Sequence, residues 1–199
     1  MPKFSIIVPL HNSASFCRKC LDSVRDQTFK DYELIIICDK CTDNSAEIAR
    51  EYTDNVIITE YGNCGMSRNA GLDKAVGEWV LFLDDDDWWL HEYVLEQINA
   101  KLMETGNIDW LCFSFIFRHW MYAEPHHPGG GAWIAIWCKC WRRAFIGDIR
   151  FDNTYPSDVS FHHKALAKHP RIYEWDMPMY YYNYMHEGSQ TYIHSKGGK

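Results

Sequence analysis

Four short, nearly continuous apolar runs recur through the first 84 residues: FSIIVPL (4–10), YELIIICD (32–39), NVIITEY (55–61) and EWVLFLD (78–84). Runs of this length, rich in Ile and Val, predict strands covered on both faces, as in a parallel sheet. Between them the apolar period changes to that of a helix. From Asn12 to Gln27, Phe16, Cys20, Leu21 and Val24 recur on one side, with Arg18, Lys19, Asp22 and Arg25 on the other. Asn12 or Ser13 is placed to cap that helix. A second helix is predicted in TDNSAEIAREY (42–52), capped by Asp43, with Ile48 and Tyr52 facing inward. A third covers Gly65 to Ala75 and stops near Gly77, a common glycine position after a helix. Strand and helix alternate through four strands, which predicts a doubly wound α/β sheet with helices on both faces.

The second half is less regular. The pattern predicts a helix over 91–104, a strand at WLCFSFIF (110–117), a helix at DVSFHHKALAKH (158–169) and a strand at MYYYNYM (179–185). The helix at 158–169 carries Phe161, Ala165 and Leu166 on one face. EPHHPGGG (124–131) is rich in breakers, and its glycines predict a mobile loop that closes over a ligand. No internal repeat is present.

Composition narrows the classes. A chain of 199 residues suits one compact domain and a core that buries roughly 70% of the unfolded surface. No run of about 18 apolar residues predicts a transmembrane helix. The start, MPKFSIIVPL, lacks a cleavage site, so no signal peptide is expected. Eight cysteines without such a signal read as free thiols in a reducing cytoplasm. Net charge is −7 and the basic residues are scattered, which argues against a nucleic-acid partner. Aromatic residues make up 16% of the chain and lie mostly after residue 79; they suit a large core or a cleft wall that stacks on a sugar or base.

In open α/β sheets ligands bind at the carboxyl ends of the strands. Three polar clusters fall there: PLHN (9–12), CDKCTDNS (38–45) and LDDDDWW (83–89). Alternate residues of an extended segment share a face, so Asp84 and Asp86 can point the same way. An oxygen-liganded divalent cation, Mg²⁺ or Mn²⁺, would offset their repulsion. The bland alternative is a solvated acidic turn. A second constellation, Cys17, Cys20, Cys38 and Cys41, has the C-x₂-C-x₁₇-C-x₂-C spacing of a zinc module. Against it, Cys20 falls on the apolar face of a predicted helix, and the second pair straddles the end of a buried strand.

These segments resemble family 2 glycosyltransferases, which have the GT-A fold, a Rossmann-like, mostly parallel sheet. The likeness is carried by residues 4–45 and by YGNCGMSRNAGLDKAVGEWVLFLDDDDW (61–88). The family's second-strand pattern is two aspartates, Gly, Ser, Thr, Asp. Here it reads Cys38, Asp39, Lys40, Cys41, Thr42, Asp43. Gly65 to Gly71 resembles the family's glycine-flanked Arg-Asn stretch, and Asp84 and Asp86 occupy the acidic positions of its D-x-D signature. AIWCKCWRRAFI (135–146), FDNTYPSDVSF (151–161) and YYYNYMHEGS (180–189) extend the likeness over nearly the whole chain, with Ser157 at the position of the family's Glu.

The resemblance implies a nucleotide-sugar donor, a UDP-sugar in the commonest case. The implied donor contacts are Pro9, His11, Asp39, Arg68, Asn69, Asp84 and Asp85. Mn²⁺ or Mg²⁺ would be held by Asp86, Asp84 and His186. Asp158 is implied as the base of an inverting transfer to a glycan or lipid-linked hydroxyl, in polysaccharide or glycoconjugate synthesis. Read alone, Asp158 is more readily a helix N-cap than a base. The resemblance also implies a nucleotide-sugar-binding half (1–105), an acceptor and catalytic half (106–199), and a cytoplasmic location reaching the inner membrane face through the acceptor. The altered second-strand motif leaves a nucleotide-sugar binder without turnover as the alternative.

Overall fold

The computed structural model describes residues 1–117, 121–123 and 134–184. His186 and the loop 124–131 lie outside the described residues, so neither the metal role of the first nor the closure of the second is addressed by it.

The first half alternates as its pattern predicts. It runs β1 (Phe4–Leu10), α1 (Cys17–Arg25), β2 (Tyr32–Asp39), α2 (Ser45–Arg50), β3 (Val56–Thr59), α3 (Cys64–Lys74) and β4 (Trp79–Phe82). Then come β5 (Trp88–Trp89), α4 (Val94–Thr105), β6 (Trp110–Phe117), β7 (Met121–Ala123), β8 (Lys139–Arg142), α5 (Arg143–Ile146), α6 (Ser157–Leu166) and β9 (Ile172–Tyr182). Among the described residues, no helix is long and apolar enough to cross a membrane.

One sheet collects the strands in the order β3-β2-β1-β4-β8-β6-β9-β5, with β7 paired to β6. The first four are parallel. The other half is mixed, because β8 runs antiparallel to both β4 and β6, and β5 antiparallel to β9. The chain leaves β1 toward β2 on one side, and β4 later joins on the other. The gap between β1 and β4 is therefore a topological switch point, where open α/β sheets place ligands.

Pro9 marks that gap. The Lys3 and Ile7 carbonyls accept from the N–H groups of Trp79 and Leu83, at 3.0 and 3.1 Å, so odd-numbered β1 residues face β4. Pairing ends at Ile7 and Phe82. Pro9 is next in that series, where β4 has already turned away and a missing N–H costs no ladder bond.

Alternate β1 residues feed two cores. Phe4, Ile6, Val8 and Leu10 pack with α1, α2 and α4, while Ile7 packs with α3, α5 and α6. Gly71 lets α3 sit directly on the sheet, since a Cβ there would meet Ile7 Cγ2 at 2.5 Å.

The expected side-chain cap of α1 is corrected. The start of α1 is closed by the Ser13 carbonyl, which accepts from the N–H groups of Phe16 and Cys17 at 3.0 and 2.8 Å. Asn12 turns its Oδ1 to the Thr42 N–H at 2.7 Å instead. Asp43 does serve the start of α2, accepting from the Ser45 N–H at 3.0 Å, and its other oxygen ties down the Ala14 N–H.

Candidate active site

The four aspartates form a tight turn between β4 and β5. The Asp87 N–H donates to the Asp84 carbonyl at 3.1 Å. Asp87 is fully buried, not at the cleft mouth. The Tyr180 hydroxyl donates to its Oδ2 at 2.6 Å, and the Asn183 N–H to its Oδ1 at 2.7 Å. The same hydroxyl accepts from the Asp84 N–H at 3.3 Å. Tyr180 thus clamps both ends of the turn. Asp85 reaches the other way and accepts from the His11 N–H at 3.3 Å, spanning the switch point. Burial, then the charge of Asp86, raises the Asp85 carboxyl well above the usual range. Burial followed by Asp86 and Asp84 does the same to Asp87.

Asp84, Asp85 and Asp86 remain partly exposed. Among the described residues, no group of three or more His, Cys, Asp or Glu side chains is arranged as a metal cage. The turn instead offers hard carboxylate oxygens on a cluster of negative charge. That fits Mg²⁺ or Mn²⁺, which commonly take one or two carboxylates and complete their shell with water and substrate phosphate.

Arg68 is the positive partner of the cluster. Its guanidinium, on the buried side of α3, donates from Nη2 to Asp84 Oδ1 at 2.5 Å and from Nη1 to Asp158 Oδ1 at 3.1 Å. Its side chain is only 5% exposed. Asp158 lies in the first turn of α6, and its Oδ2 faces the Ile136 N–H at 3.5 Å. Burial raises its carboxyl, Arg68 opposes that, and Asp84 adds to it; the net shift is upward.

Two contacts place α3 against α6 and the segment that leads into it. A Cβ on Gly65 would stand 2.6 Å from Ser157 Cβ, so glycine lets the two helix starts touch. Asn69 exchanges two hydrogen bonds with the backbone of Phe151, at 2.8 and 2.9 Å. The buried Asn69 amide is thus tied to Phe151 and positions Arg68's helix.

At the end of β2 the Asp39 carboxylate is also committed. It accepts from the Tyr61 N–H at 2.7 Å, the Asn63 N–H at 3.0 Å and the Thr59 hydroxyl at 3.0 Å. Burial alone would raise it, but donors led by the Gly62 and Asn63 N–H groups win, and its carboxyl sits low. Asp39 therefore fixes the loop after β3. His11 donates from Nδ1 to the Asp39 carbonyl at 2.7 Å, while its ring edge stays exposed.

The zinc pattern does not form a site among the described residues. Cys17 and Cys20 are buried on the core face of α1. Cys41 donates its thiol to the Leu10 carbonyl at 3.5 Å, and the neighbouring thiols push Cys38 up and Cys41 down to about 7.

The fold thus gathers Asp84, Asp85, Asp158, Arg68 and His11 around one switch point, with Pro9 beneath. Sequence reasoning missed Tyr180 and Asn183, whose contacts depend on β9 lying beside β5.

A doubly wound sheet with a carboxylate turn at its switch point, facing an arginine-held aspartate, defines a GT-A transferase fold. The chain belongs to glycosyl transferase family 2, whose model matches residues 5–166. It is 28% identical to the uncharacterized glycosyltransferase YibD of Escherichia coli (strain K12), over 99% of this chain and 65% of YibD. It is 39% identical over 115 residues to a poly(ribitol-phosphate) beta-glucosyltransferase of Bacillus spizizenii, covering 53% of this chain and 18% of that protein. The crystal structure of S. aureus TarS 1–349 in complex with UDP-GlcNAc matches with a TM-score of 0.80 and 26% identity, over 96% of this chain and 60% of that one. The chain spans less than two thirds of each of these three proteins.

Proposed function

We propose that this protein transfers a sugar from a uridine diphosphate donor to a hydroxyl of a glycan or lipid-linked acceptor, with inversion, in surface polysaccharide or glycoconjugate synthesis. One observation carries the reading: Arg68 holds Asp84 and Asp158 together. A D-x-D carboxylate and a candidate base, from opposite halves of the chain, then share one cleft. The likeness to TarS, whose structure contains UDP-GlcNAc, supports the donor class. The likeness to a poly(ribitol-phosphate) beta-glucosyltransferase supports a hydroxyl-bearing polymer as acceptor.

Residues 1–105 would bind the donor and 106–199 would supply the base and acceptor side. The diphosphate lies over Asp84 and Asp86, and the nucleoside extends across the ends of β1 and β2. Two strand spacings separate Asp84 from Asp39, about 10 Å, which is a length suited to a nucleoside. A divalent cation there would stabilise charge developing on the departing diphosphate. Asp158, its carboxyl raised by burial, takes the proton of the acceptor hydroxyl as that oxygen attacks the anomeric carbon. The bond from the anomeric carbon to the diphosphate oxygen breaks in the same step. Glycoside, nucleoside diphosphate and protonated Asp158 result.

The test is a panel of UDP- and other nucleotide sugars, with and without Mn²⁺, read for binding and for slow donor hydrolysis. Metal-dependent binding with turnover is expected. Asp86→Ala should remove the metal dependence. Binding without turnover would favour a non-catalytic sugar-nucleotide binder, and no binding would overturn the reading.

A further inference from the structure

Lys40 holds a backbone conformation that lysine rarely adopts. It follows β2 with φ at +51°, in the left-handed region. Its own backbone is anchored, since the Lys40 N–H donates to the Thr59 carbonyl at 2.9 Å. The side chain lies along Gly62. A Cβ on Gly62 would stand 2.9 Å from Nζ, 3.3 Å from Cε and 3.4 Å from Cδ. Gly62 is itself left-handed, at φ +64°. Two left-handed residues therefore face each other, and the absent side chain of one makes room for the long side chain of the other.

Asp39, directly before Lys40, spends its carboxylate on the N–H groups of Tyr61 and Asn63 beneath this loop. The surface above is left to half-exposed Tyr61, Gly62 and the lysine. Among the described residues, no carboxylate forms an ion pair with the Lys40 ammonium. A strained residue that presents a charged donor at a ligand rim suggests a functional constraint.

We propose that Lys40 reads the base of the donor nucleotide, donating to a carbonyl oxygen on its Watson–Crick edge. An ammonium has three donors and no acceptor, so it favours the O4 of uracil and disfavours the amino group of cytosine. The inference rests on the donor site proposed above and deepens it. It assigns base selection to the lysine, while Asp39 supports the loop from below.

The experiment is calorimetric titration of wild type, Lys40→Gly and Lys40→Arg with UDP and with CDP, Mn²⁺ present, beside thermal melts. Wild type should prefer UDP. Lys40→Gly should lose about tenfold for UDP and under twofold for CDP, the worth of one charged hydrogen bond. Its melting temperature should rise by about 2–4 °C, because glycine relieves the left-handed strain. Affinity and stability would then move in opposite directions, which a purely structural role does not produce. Lys40→Arg should retain the preference. Equal losses for both nucleotides would reduce Lys40 to a general attraction and overturn the inference, as would an unchanged UDP-to-CDP ratio. If neither nucleotide binds wild type, the donor-site reading fails and takes this one with it.

Discussion

Arg68 Nη1 stands 3.1 Å from Asp158 Oδ1 across 90 positions of sequence, and its other terminal nitrogen holds Asp84. Nothing local forces this meeting. It depends on α3 and α6 touching at Gly65 and Ser157.

If Asp158 is the base, Asp158→Asn preserves shape and removes the proton acceptor. UDP binding should persist while transfer falls by about 10²–10⁴-fold. A helix-capping role would instead lower stability, by at most about 2 kcal/mol, and leave the rate nearly unchanged. Single-turnover rates beside nucleotide titration separate the two.

Arg68→Met leaves two carboxylates facing each other without their cation. Removing one partner of a buried ion pair costs about 3–5 kcal/mol. Urea unfolding of the single variant should show a loss of that order. The double variant Arg68→Met/Asp158→Asn should recover part of it, because one of the orphaned charges is gone. Additive losses would mean that the three groups are not coupled.

His162 gives a pH signature unrelated to catalysis. Burial, then the nearby charge of Lys139, lowers it to about 3 from an ordinary 6.5. Above 6.5 the ring is neutral in folded and unfolded chains alike. Between 6.5 and 3 the unfolded chain binds a proton that the folded chain refuses, so stability falls as pH falls, by up to about 1.4 kcal/mol per unit. From pH 6.5 to 5 wild type should lose about 2 kcal/mol more than His162→Gln. Parallel urea midpoints for the two proteins would contradict this.

Cys41 should be the most reactive thiol. It is half-buried and its thiol is lowered to about 7, chiefly by the neighbouring Cys38 thiol. Cys64, the other half-buried cysteine, is pushed up by burial. Iodoacetamide labelling followed by mass spectrometry should show one fast site, half-maximal near pH 7 and absent in Cys41→Ser. A fast site elsewhere, or a midpoint near 9, would be the contrary result.

The parallel half of the fold was legible because its strands are nearly unbroken apolar runs, buried on both faces in β1 and β4, although edge strand β3 leaves Ile58 exposed. The start of β9 was not legible, because Glu174, Asp176 and Pro178 interrupt any strand pattern. Asp176 is accommodated by the Ser114 hydroxyl at 2.7 Å, beside a register shift in β6. The α1 cap was misplaced because backbone did the work expected of a side chain. In the site, Arg68 and Asp158 were legible only through family resemblance. The commitment of Asp39 to its own loop, and of Asn69 to Phe151, became visible only once three-dimensional neighbours were known.

The clamp on Asp87 also sets an order of events during synthesis. The acidic turn spans residues 84–87, yet its anchors are Tyr180 and Asn183. A nascent chain can pair β1 to β4 long before those anchors leave the ribosome. At about 5–20 residues per second, the turn waits roughly 5–20 seconds with Asp87 unsatisfied. The parallel half of the sheet can therefore form before the acidic turn is anchored, which waits until β9 docks.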